Sequence, residues 1–95
     1  MKRDNKHRWL ERLRDPKSKK ARGKLANSKG GMCCLGHLED MLCGLDPKYY
    51  DDTDMGSVAY KMSGLKIGEA CRLARLNDRC AGFPIAEIEA LPEWD

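Results

Sequence analysis

Aromatic side chains are scarce in this chain: it has one phenylalanine, three tyrosines and two tryptophans. Only Trp9 lies near the N-terminal lysines and arginines, so there is little capacity to stack on nucleic-acid bases. No apolar run approaches the roughly 18 residues that a membrane-spanning helix needs. The first residues are charged and lack the apolar core and small-residue cleavage site of a secretory signal. The expectation is a protein that stays in the cytosol, with no membrane partner. No segment alternates apolar and polar residues as a half-buried strand does, and no internal repeat is visible. CxxC pairs are also missing, and the five cysteines are an odd number without the spacing of a secreted disulfide framework. Free thiols in a reducing compartment follow, mostly buried as small hydrophobes. Asp51, Asp52 and Asp54 form an acidic cluster, but it lacks the spacing and the closing glutamate of a calcium loop.

What is present fits one soluble domain. Hydrophobic residues make up 41% and charged residues 35% of 95 residues, enough for a single modest core and too few for two. The expected fold is mainly α: a small single-domain bundle of four to five short helices around a central Cys-Cys-Leu-Gly helix. Its parts are a basic helix over 1–15, a basic connector over 16–31 and a helical body over 32–95.

The central helix is read from residues 30–45. Leu35, Leu38, Leu42 and Leu45 recur at helical intervals, with Cys34 and Met41 on the same side. Gly30-Gly31 precedes it, and Gly44 with Asp46-Pro47 stops it. Residues 4–14 read as an amphipathic helix capped by Asp4, with Trp9, Leu10 and Leu13 on one face and Pro16 beyond its end. The connector offers only Leu25 as an obvious core anchor, and a loop this long is functional or mobile. A short helix is expected over Ser57–Ser63, ended by Gly64, and another over 69–77 with Ala70, Leu73, Ala74 and Leu76 facing the core. Asn77-Asp78 reads as a stop and turn. Pro84 suits the first position of a last helix, along which Ile85, Ile88 and Leu91 share a face, with Phe83 packing at its start.

Charge is distributed unevenly. Residues 1–30 carry twelve Lys/Arg against three acids, a local charge of +9, while residues 31–95 carry −6. A basic face set against an acidic body suits an anionic partner. The expected partner-binding residues are Arg8, Trp9, Arg12, Arg14, Lys17, Lys19, Lys20, Arg22 and Lys24, with Trp9 as anchor only if it lies outside the core. Cys33, His37 and Asp40 fall on one helical stripe at i, i+4 and i+7. This permits a zinc site with further ligands from Cys71, Cys80 or His7, or a Cys–His nucleophile pair near a helix N-terminus. The blander alternative is buried structural cysteines with an exposed His37 and no cofactor.

Three islands, Trp9-x3-Leu13-Arg14, Cys33-Cys34-Leu35-Gly36-x-Leu38-x-Asp40 and Leu73-x2-Leu76-Asn77-Asp78 with Gly82-Phe83 after it, carry a resemblance across most of the chain. The pattern resembles a group of small bacteriophage and prophage proteins with a Trp-x3-Leu-Arg opening, a Cys-Cys-Leu-Gly-Val-Leu-Cys-Asp centre and a Leu-Asn-Asp…Ser-Phe ending. His37 and Glu39 stand where the group has Val and Cys, and Gly82 replaces the serine, so the resemblance implies no metal or catalytic role for His37. It implies a viral or prophage origin and action in the cytoplasm of a bacterial host. Together with the short length, the opposed charges and the want of a convincing catalytic set, it leads to one expectation. The chain is a non-enzymatic binder that inhibits or redirects a host protein or ribonucleoprotein complex, with defence assemblies such as CRISPR effectors the first class to test. Two alternatives stand beside it: a non-sequence-specific nucleic-acid-binding protein using the basic arm, and a zinc-stabilised interaction module.

Overall fold

The spacing of Trp9, Leu10 and Leu13 does produce a helix, α1 (Arg3–Arg14), one of four in a computed structural model that describes residues 1–22, 26–27, 30–44 and 63–94. The others are α2 (Cys34–Cys43), α3 (Ile67–Arg79) and α4 (Ile85–Glu89). Among the described residues there is no strand, only isolated bridges that join Lys2 to Trp94 and Met32 to both Lys20 and Ala26. The expected single helical domain is therefore the fold observed. No helix among these residues is long and apolar enough to cross a membrane. The expected helix over 57–63, apart from Ser63, lies outside the described residues, as do Asp51, Asp52, Asp54, Leu25 and Leu45.

α1 buries Lys6, Trp9, Leu10 and Leu13, an i, i+3, i+4, i+7 stripe whose first member is charged. Lys6 is only 6% exposed, and its Nζ donates to the carbonyls of Glu89 at 2.6 Å and Leu91 at 2.8 Å. Those carbonyls belong to the end of α4, where backbone acceptors lack helical partners and the helix dipole favours a cation. The ammonium thus replaces its lost hydration with carbonyl oxygens, and Glu93 Oε2 adds a carboxylate at 3.4 Å. Asp4 lies in the first turn rather than at the cap, which is Lys2. The helix closes at Asp15, extended ahead of Pro16 as expected.

α1 packs on α2 on one side and on α4 on the other, and α2 packs in turn on α3. The core therefore lies along two neighbouring helices rather than around one. α2 buries five consecutive residues, Cys34 to Leu38, so its first turn is enclosed on every side. Its cap is the Cys33 thiol, which accepts from Gly36 N at 3.3 Å, as a serine hydroxyl would. α3 turns Ala70, Leu73 and Asn77 inward and runs to Arg79, so Asn77-Asp78 continues the helix instead of stopping it. α4 begins after Pro84 and seats Ile88 and, just past its end, Leu91 in the core.

Residues 1–3 pair with residues 92–94. Arg3 N donates to Trp94 O at 2.8 Å, Trp94 N to Met1 O at 3.1 Å, and Lys2 N to Ser63 O at 2.8 Å. Gly64, at φ +82°, lies under the Trp94 ring so closely that a Cβ would fall 2.6 Å from a ring carbon. Only glycine satisfies both conditions.

Candidate functional site

The connector meets the helices at Arg12, His37 and Asp40. Arg12, on α1, presents its guanidinium to α2, with Nε donating to His37 Nδ1 at 3.0 Å and Nη2 to Asp40 Oδ2 at 2.6 Å. His37 Nε2 lies 2.9 Å from the carbonyl of Lys19. A guanidinium can only donate and a carbonyl can only accept, so these partners select the neutral imidazole with its proton on Nε2. The ring is also edge-on to Phe83, with centroids 5.2 Å apart. His37 is 3% exposed, not the exposed residue expected, because its two polar atoms are satisfied by α1 and the connector.

Burial pushes the His37 pKa below its ordinary value, and the neighbouring Arg12 charge pushes the same way, partly opposed by the Lys19 carbonyl and Asp40. Protonation would oppose two cations across a broken hydrogen bond. Because the folded pKa lies below the unfolded one, the stabilisation is full above the ordinary histidine pKa of about 6.5 and is lost as pH falls from there through the folded value. Urea midpoints measured at pH 7.5, 6.5 and 5.5 are expected to drop in the acid step. In His37→Gln, which keeps a neutral donor and acceptor, that drop should shrink. Parallel acid losses in the two proteins would mean that His37 is not the titrating group.

The same geometry bears on the proposed chemistry. Both imidazole nitrogens are committed, so neither faces the Cys33 thiol as a base. Burial pushes the Cys33 and Cys34 thiols up, away from the thiolate form. Cys33, His37 and Asp40 do not converge. Cys33 caps α2, while Arg12 supplies the positive charge between His37 and Asp40. Among the described residues no group of three or more His, Cys, Asp or Glu is placed to hold a metal ion.

The residues expected to bind a partner separate into distinct environments. Trp9 is fully buried, with Nε1 donating to Cys34 O at 2.8 Å, so it holds α1 to α2 and is no surface anchor. Arg12 is half-buried in the cluster just described. Arg14 pairs with Glu89 at 2.6 Å, on the surface. Lys20 Nζ donates to the carbonyls of Cys80 and Gly82, and Arg22 Nη2 reaches Cys80 O at 3.2 Å. Lys24 lies outside the described residues. Arg8, Lys17 and Lys19 are exposed, and among the described residues none of the three forms an ion pair.

The connector is anchored more firmly than its composition suggests. Ala21 and Ala26 are buried, where Leu25 alone was the expected anchor. Met32 N donates to Lys19 O and Ala21 N to Met32 O, both at 3.0 Å. Asn77 completes the hold: its Nδ2 donates to Ala21 O at 3.0 Å and its Oδ1 accepts from Cys34 N at 3.2 Å. One buried amide thus joins α3, the connector and the first turn of α2. Sequence reasoning missed Asn77 and Lys6. Each sits at one end of an otherwise apolar stripe, Asn77 after Ala70 and Leu73 and Lys6 before Trp9, Leu10 and Leu13, and that position was the available signal.

An open depression of about 450 Å³ between α1 and the end of α4 is lined by Lys6, His7, Arg14, Glu89 and Glu93, among others. Most of its polar groups pair with one another, Arg14 with Glu89 and both Lys6 and His7 with Glu93, while Glu11 on the same wall has no ion pair among the described residues.

Compared with protein-family models, curated proteins and solved structures, the chain finds no match.

Proposed function

We propose that this protein acts by binding: a phage-type protein that occupies a surface of a host protein or ribonucleoprotein complex and so inhibits or redirects it, with defence assemblies such as CRISPR effectors the first class to test. The observation that carries the proposal is the connector. Its backbone is held by Met32, by His37 of α2 and by Asn77 of α3, yet Lys17 and Lys19, together with Arg8 on α1, are exposed and without an ion pair among the described residues. A pre-ordered cationic face loses little conformational entropy on docking and speeds encounter with an acidic surface. The three-island resemblance supports a bacterial host cell as the setting.

The contact surface is narrower than the run of basic residues: Trp9, Arg12, Lys20 and Arg22 serve the fold. Capture of partners from nuclease-treated bacterial lysate by tagged protein tests the proposal when paired with Arg8→Ala/Lys17→Ala/Lys19→Ala. The captured band should weaken by about tenfold or more, as loss of electrostatic steering implies, with the helical signal unchanged. Undiminished capture by the folded triple variant would rule this face out. A band that vanishes with nuclease in the wild type would transfer the role to nucleic acid.

A further inference from the structure

α3 carries a second cationic feature on its outer side. At about 100° per residue, Arg72, Arg75 and Arg79 fall within a sector of about 60°, opposite the buried stripe of Ala70, Leu73 and Asn77. All three are exposed, and none has an ion pair among the described residues. Gly68 continues the same line toward the start of the helix, and a Cβ there would meet nothing within 4 Å. The acids of α3 flank the ridge, Glu69 three positions before Arg72 and Asp78 three after Arg75, and Glu69 accepts from Lys66 N at 3.0 Å.

The fold supplies no reason for the ridge. Several other cations of the helices and connector are matched, Arg12 with Asp40, Arg14 with Glu89, and Lys6 and Lys20 with carbonyls; among the described residues the ridge shares its lack of an ion pair with Arg8, Lys17 and Lys19. Arginines three and four apart on one helix face repel, and only Arg79 lies in the last turn, where the helix dipole favours a cation.

We propose that Arg72, Arg75 and Arg79 bind the phosphate backbone of a nucleic-acid duplex. Each guanidinium is a planar fork suited to two phosphate oxygens. At 1.5 Å per residue the ridge runs about 10 Å, the axial length of about three phosphates of one strand. It carries no aromatic to stack on unpaired bases and no amide to read base edges, so it fits a duplex and is indifferent to its sequence. An acidic protein is the poorer fit, because protein interfaces centre on apolar or aromatic anchors and the ridge has none. This surface is separate from the connector face and does not depend on it.

Fluorescence anisotropy with a labelled DNA duplex of about 20 base pairs tests the proposal on the full chain. Three phosphate contacts predict an affinity that falls about 40-fold between about 50 and 200 mM salt, whatever the base sequence. Arg72→Gln/Arg75→Gln/Arg79→Gln should remove most of that dependence and weaken binding at least about tenfold at the lower salt, with its circular dichroism unchanged. Replacing the same three by lysine should retain the salt dependence and lose less affinity. The connector variant Arg8→Ala/Lys17→Ala/Lys19→Ala should bind the duplex within about twofold of wild type, which separates failure here from failure of the connector proposal. The proposal is overturned by no anisotropy change at low salt, or by undiminished binding of the folded glutamine variant. Equal competition by polyglutamate overturns it too, and would assign the ridge to an acidic protein.

Discussion

Trp9→Ala is expected to remove about 4 kcal/mol or more of folding free energy, the largest loss from any single truncation in this domain. The indole is fully buried and its Nε1–H bonds to Cys34 O, so the substitution opens a cavity where α1 meets α2 and deletes a buried hydrogen bond between them. Small domains hold about 5–15 kcal/mol in total, so the variant should unfold at low urea or lose its cooperative transition. Trp9→Phe fills most of the space without the N–H and should lose about 1–2 kcal/mol. Urea titrations followed by circular dichroism measure both. A loss below about 1 kcal/mol for Trp9→Ala would contradict a core position for the ring. Because this residue is buried beside Arg8 of the proposed contact surface, a binding defect in Trp9→Ala reports unfolding rather than a lost contact.

Asn77→Ala should lose about 3 kcal/mol, more than an ordinary surface asparagine by a wide margin. Its amide serves Ala21 O and Cys34 N at once, and both sites are buried. Truncation leaves a donor at the start of α2 and an acceptor in the connector without that partner. Asn77→Asp discriminates this account from a simple packing role. A carboxylate can still accept from Cys34 N but opposes the Ala21 carbonyl with no proton to offer, so the loss at neutral pH should match or exceed that of alanine. Protonating the acid restores a donor. Burial raises its folded pKa above the unfolded one, so Asn77→Asp should recover stability, relative to wild type, as pH falls. An aspartate variant as stable as wild type at neutral pH, or one that loses further on acidification, would show that the two hydrogen bonds are not what holds the position.

The helices were legible where apolar residues marked them. Trp9, Leu10 and Leu13 specify α1, and Ala70 with Leu73 specifies α3 within two residues at either end. Illegible were the polar residues that occupy apolar positions. Lys6 looks like a solvated lysine until the end of α4 brings two carbonyls to it, and no local pattern encodes that meeting. Asn77 followed by Asp78 is a genuine local turn signal. It was overridden because the amide gains two partners from distant segments only if the helix continues. His37 gains a burying partner from Arg12, 25 residues away in sequence and on the facing helix, and no local pattern encodes that pairing. Summed charge likewise does not reveal which guanidiniums already have a carboxylate or carbonyl, as Arg12 and Arg22 do. The α3 ridge was hidden by the opposite error. Arg72, Arg75 and Arg79 lie in the half of the chain whose net charge is negative, and only their spacing distinguishes them.

The corner where Lys2, Ser63 and Trp94 meet has a kinetic consequence. Most contacts in a helical domain are local and form early, but this corner joins segments as far apart as Met1 and Pro92, separated by 91 positions in sequence. The entropy of closing so long a loop must be met before any of its hydrogen bonds forms, so the corner is expected to form late in folding. Interactions made that late govern escape from the native state more than arrival at it. A side chain added at Gly64, beneath the Trp94 ring, is therefore expected to speed unfolding more than it slows folding.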